Sequence, residues 1–261
     1  MVMGRNNERM KIEVLGKEFD TNNSGRCFVI DYKSERKATV MFHEPIFVVT
    51  CTYSHLVRGE VSNPFYPSVY GVGCLGFGEY QPKKDKQVYL CWKGVLSRLY
   101  GKTASVNNPT YKDVTVCKEW LNFQSFAKWC YSQTGFDNKD GRCRRFQLDK
   151  DILIKGNKIY SPETCCFVPQ EINLVFCKSD AIRGDTPIGV TYDKSRGKYI
   201  ASIFCNGTRK HLGRHTTPEI AFLAYKQAKE AYVKEVAERW KDEIDPVVYG
   251  ALVNYQVDIT D

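Results

Sequence analysis

The chain contains no run of 18 or more apolar residues, so no segment is expected to span a bilayer. Its opening stretch, MVMGRNNERM, has no apolar core behind its charges and does not read as a secretion signal. Histidine is scarce: there are four, none spaced with a cysteine as a ligand pair, which disfavours a zinc site. His43 and His55 are accordingly assigned no role. No Cys-x-x-Cys pair occurs either, although the chain has 11 cysteines. Scattered and odd in number, these are expected to be reduced thiols filling core positions in a cytoplasmic protein. A Lys-Ser/Thr step is missing after Gly71, Gly73, Gly76 and Gly78, so this glycine-rich connector is not a phosphate-cradling loop.

What is present points to folded, basic material. Hydrophobic residues make up 43% and aromatics 13% of the 261 residues, enough for real cores. Basic residues number 38 against 30 acidic, a net charge of +8 that suits a polyanionic partner. Between residues 11 and 61, KIEVL, RCFVIDY, ATVMF and IFVVTCTY read as short strands separated by turn residues. Residues 88 to 133 turn helical, with Leu90, Val95, Leu96 and Leu99 near helical spacing. A stripe of Trp120, Phe123, Gln124, Ala127 and Tyr131 follows, and is expected to pack in a core.

Arg142, Arg144 and Arg145 form a basic cluster just before the run LDKD, which carries Asp149, Lys150 and Asp151. From Ile188 three short strands are predicted, IGVTYD, KYIASIFC and TRKHLGRH, the last two joined by the hairpin signal Asn206-Gly207. A helix starting at Thr217-Pro218-Glu219 follows, with a face of small residues suited to lying close on a sheet. Residues 183–214 carry seven basic and two acidic side chains, whereas 215–261 carry five basic and nine acidic. The sheet is therefore the candidate face for a polyanion.

The C-terminal pattern resembles an APETALA2-type DNA-binding domain over roughly residues 187–235. It is carried by GVTYD, Gly197-Lys198-Tyr199, NGTRKHLG and TPEIAFLAYKQAKEAY, with Tyr199 where tryptophan is frequent. The resemblance implies double-stranded DNA as partner, contacted by Tyr192, Lys194, Arg196, Lys198, Tyr199, Arg209 and Lys210. The stretch FQLDKDILIKGNKIYSPETCCFVPQEIN resembles the ββα-metal motif of HNH endonucleases, and residues 69–176 as a whole resemble bacteriophage endonucleases. That likeness implies a bacterial host cytoplasm as location. It also implies Asp149, Lys150 and Asn173 as catalytic residues, and Asp149, Asn173 and Asp151 as oxygen ligands for Mg²⁺ or Mn²⁺. The three arginines before them would then clamp phosphate.

Two departures stand out. Lys150 occupies the place of the general-base histidine, and Thr164 that of the asparagine which orients it. A free lysine, with a pKa of about 10.4, activates water poorly but binds phosphate well. Two readings stay open: an endonuclease with an altered base, and a nuclease scaffold kept for DNA binding or regulation. RNA binding by the basic, aromatic sheet is a third. The expected architecture is α+β: a small β-rich module over residues 1–66, an HNH-like domain over 67–180, and a sheet-plus-helix domain over 183–261.

Overall fold

The computed structural model describes residues 2–107, 109–176 and 185–261. The protein is α+β, with several small sheets rather than one large one. The chain folds as two compact units, Met1–Cys130 and Tyr131–Asp261. No described helix is long and apolar enough to cross a membrane.

The first unit opens with helix α1 (Val2–Val14) and an antiparallel meander, β1 (Glu18–Asp20), β2 (Arg26–Ser34), β3 (Lys37–Phe42) and β4 (Phe47–Cys51). Period-2 alternation puts Cys27, Val29, Ala38, Val40 and Phe42 on its buried face. KIEVL, read as a strand from its alternation, is instead the last turn of α1 and the residue after it. Val14 is the residue of this stretch that is buried, in the core cluster of the sheet. The short α2 (Tyr53–Val57) is capped by Thr52, whose hydroxyl accepts from the His55 amide at 3.2 Å.

Further along come α3 (Lys86–Tyr100), α4 (Ala104–Asn107), β5 (Thr115–Val116) and α5 (Phe123–Ser132). Trp92, Trp120, Phe123 and Phe126 are fully buried together, and the Trp92 indole donates to the Trp120 carbonyl at 2.6 Å. The glycine-rich connector is structural, as its sequence indicates. Gly76 has φ +69°, and a Cβ there would collide with the Asn122 side-chain oxygen.

The second unit contains β6 (Gln147–Asp149), β7 (Ile159–Tyr160), β8 (Cys166–Val168) and α6 (Gln170–Val175). Then follow β9 (Val190–Asp193), β10 (Lys198–Cys205), β11 (Thr208–His215), α7 (Pro218–Trp240) and α8 (Pro246–Val253). β9, β10 and β11 form an antiparallel sheet in the order β11-β10-β9. One face of it packs on α7 through Val190, Ala201, Ile203, Ala221, Phe222 and Tyr225. Thr217 caps α7, accepting from the Ile220 amide at 3.3 Å, and Pro218 supplies the first helical residue. The ten described cysteines are free, and Cys165 and Cys166 are both buried.

Candidate functional site

β6 and β8 pair antiparallel, with Gln147 opposite Val168, Leu148 opposite Phe167 and Asp149 opposite Cys166. α6 follows after a single proline, giving two strands and a helix in the order the sequence suggests. Asn173, on α6, donates to the Gln147 side-chain oxygen at 2.7 Å. Residues two apart on a strand share a face, about 7 Å apart. Asn173 thus reaches the face that carries Asp149, one strand repeat away from it.

Asp149 is half-buried and closes its own turn: one carboxylate oxygen accepts from the amides of Asp151 at 2.7 Å and Ile152 at 3.0 Å. Burial raises its pKa, against the pull of those two hydrogen bonds. Lys150 alternates to the opposite side and is only 8% exposed. Its ammonium donates to the Asp151 carboxylate at 2.6 Å and to the Asn157 carbonyl at 2.9 Å. Asn157 answers by donating to the Lys150 carbonyl at 2.8 Å and the Ile159 carbonyl at 2.6 Å. Lys150 and Asn157 therefore hold the 149–159 loop shut. Asn157 was legible only as a loop residue; its closing role depends on a partner seven positions earlier. Thr164 has a structural task too, its hydroxyl donating to the Ile159 carbonyl at 2.7 Å.

Of the three residues the resemblance offers as metal ligands, Asp151 pairs with Lys150 through one carboxylate oxygen, Asn173 donates its side-chain amide to Gln147, and one oxygen of Asp149 closes its turn. Among the described residues, no three His, Cys, Asp or Glu side chains cluster as a metal-binding set.

The arginine loop is organised by a residue the sequence did not single out, Asp140. Its side chain is nearly buried, and accepts from the Arg142 and Arg144 amides at 2.9 Å each and from the Arg144 Nε at 2.8 Å. Burial raises the Asp140 pKa, but the bonds from Arg144 and Arg142 outweigh it and hold the carboxyl below the usual range. Arg144 also donates to Gln170, and Arg145 lies 3.5 Å from Asp137. Arg142 makes no ion pair among the described residues and is exposed.

The β9–β11 sheet divides the remaining candidates by face. Ala201, Ile203 and Cys205 point to α7, so Lys198, Ile200, Ser202 and Phe204 point away from it. Register places Arg209, His211 and Arg214 opposite Phe204, Ser202 and Ile200, on that same outer face. A bulge between Ala201 and Ser202 restores the alternation that brings Arg214 round. Tyr192 and Tyr199 face each other across β9 and β10, rings 5.0 Å apart, on the α7 side; Tyr199 packs against the core. Lys210 pairs with Ile203 and falls on that side also. Lys194 and Arg196 lie in the β9–β10 turn, where Arg196 pairs with Asp193 at 3.2 Å. Of the seven predicted contacts, Lys198 and Arg209 fall on the outer face, at opposite ends of β10. Arg214 and His211 join them, and strand register was the missing signal.

No protein-family model, curated protein or solved structure matches the chain.

Proposed function

We propose that this chain binds double-stranded DNA through the outer face of the β9–β11 sheet. One observation carries the reading. Lys198, Arg209 and Arg214 lie with His211 on the face turned away from α7, with Asp193 as its one carboxylate among the described strands. Arg214 lies 3.9 Å from that carboxylate, a weak tie that leaves the guanidinium able to reach phosphate. A sheet of this width suits the major groove, where cationic side chains reach phosphates and guanine edges. Phe204 adds an apolar surface for thymine methyls or sugars. The likeness to APETALA2-type domains supports the same face.

In this reading the β6–β8–α6 element is an HNH-type scaffold whose loop is closed by Lys150 and Asn157, and the protein acts as a DNA-binding or regulatory factor. A phage origin and a bacterial cytoplasm belong with it. A second reading, phosphodiester hydrolysis with Mg²⁺ or Mn²⁺, is favoured by a single observation: Asn173 reaches the strand face that bears Asp149.

The test combines duplex-binding titrations with nicking of supercoiled plasmid in Mg²⁺, Mn²⁺ or chelator, for the parent and Asp149→Ala. Salt-sensitive duplex binding without cleavage is expected. Metal-dependent nicks lost in Asp149→Ala would replace this reading with the hydrolytic one, and tighter binding to single-stranded RNA than to duplex would replace it with RNA recognition.

A further inference from the structure

Within the second unit a cleft of about 530 Å³ opens between the arginine loop, α6, the β10–β11 turn and α7. That is the size range of small-ligand sites, roughly 300–1,000 Å³. Its walls combine Arg142 with Leu174, Phe204, Asn206, Tyr232 and Trp240. Two of the apolar walls are left open to solvent, Phe204 at 68% and Leu174 at 59% exposure. The carboxylates in the cleft are already engaged: Asp140 by Arg144, and Glu171 by Arg239 and by the Trp240 indole at 2.8 Å. Arg142 is thus the cleft's uncommitted charge among the described residues. The site offers flat apolar walls and one cation, which matches an aromatic ring carrying an anionic group.

Phe204 ties this cleft to the DNA face, because it belongs to both. We propose that the cleft receives one unstacked nucleotide of bound DNA, its base lying against Phe204 and Leu174 and its phosphate on Arg142. The inference rests on the duplex-binding reading. It adds that a site with one weakly stacked or unpaired base is preferred over continuous duplex, since the energy of unstacking is then already spent.

The experiment compares two duplexes, one fully paired and one with 2-aminopurine opposite an abasic position, together with free dAMP. Base stacking on protein side chains is worth enough to make the unpaired-base duplex bind about tenfold tighter, with 2-aminopurine fluorescence quenched. Leu174→Asn, off the sheet, is expected to erase that preference while paired duplex still binds, and Arg142→Gln and Phe204→Ser are expected to erase it too. All three positions are exposed, so the variants are expected to fold, and circular dichroism checks this. Equal affinity for the two duplexes overturns the cleft proposal and leaves the sheet reading intact. Binding of neither duplex at low salt overturns the sheet reading, and the cleft proposal with it. Binding of dAMP that Arg142→Gln abolishes, without any preference between duplexes, assigns the cleft to free nucleotides and overturns the DNA source.

Discussion

Replacing Lys150 separates a structural lysine from a catalytic one. In Lys150→Met the aliphatic stem is conserved, so the loss is that of the ammonium, which includes its bonds to Asp151 and the Asn157 carbonyl. A hydrogen bond from a charged donor contributes about 1.5–3 kcal/mol. The Asp151 side chain is 46% exposed, so its half of the ion pair is screened and adds no more than about 1 kcal/mol. The expected cost is therefore about 2–3 kcal/mol, or roughly 6–12 °C in melting temperature for a unit of this size. Lys150→His, whose ring is too short to reach both partners, should lose a similar amount and gain no metal-dependent cleavage. Thermal and urea unfolding by circular dichroism, with plasmid nicking in parallel, measures both. Stability within about 0.5 kcal/mol of the parent, or nicking that appears with histidine, would refute the structural assignment.

Gly189 has φ +76°, and a Cβ there would run into the buried Tyr225 ring, whereas Gly197, at φ +60°, faces open space. Gly189→Ala should therefore cost about 2–5 kcal/mol and Gly197→Ala only about 1–2, compared by urea unfolding. Asp140→Ala removes the acceptor that gathers the 140–144 loop, and limited proteolysis should then cut beside Arg142 or Arg144 well before the parent is cut. Acid should weaken the second unit. Hydrogen bonding by Ser195 holds Asp193 low, while in Asp140 and Glu230 bonds from Arg144, and from Lys226 and the Val257 amide, outweigh burial. Stability from these carboxylates is complete above their unfolded values of about 4 and is lost as pH falls through their lower folded values. Asp149, raised by burial, contributes with the opposite sign. Unfolding midpoints at pH 7, 5 and 3 should fall most between the last two; a flat profile would contradict the assignment.

Elements whose signal is local were readable in the sequence. The Asn206-Gly207 hairpin, the Thr217-Pro218 helix start and the β6–turn–β8–helix order depend on neighbouring residues alone, and each forms as expected. The core stripe was legible in part: Trp120, Phe123 and Ala127 are buried, but Tyr131 is 46% exposed. Gln124 joins it by bonding the Leu75 and Tyr80 carbonyls rather than by apolar packing. Leu90 is exposed while Trp92 and Val88 are buried, because helical spacing fixes a stripe only once the neighbouring elements choose it. What stayed hidden in the site is non-local. Asp140 looks like one acid in a basic loop until the backbone folds its neighbours' amides onto it. The assignment of Arg214 to the outer face turns on one bulge that no composition or motif reveals, whereas that of Lys210 to the other follows from the hairpin register alone.

The central claim is that the outer sheet face holds duplex DNA, and the salt dependence of binding tests it most directly. Affinity would be titrated by fluorescence anisotropy across a range of salt for the parent, Lys198→Ala, Arg209→Ala, Arg214→Ala and Lys210→Ala. Each outer-face residue that meets a phosphate should lower the log–log salt slope by about 1 and weaken binding, while Lys210→Ala leaves both nearly unchanged. Equal slopes in all four variants and the parent, or a loss greatest in Lys210→Ala, would contradict the account.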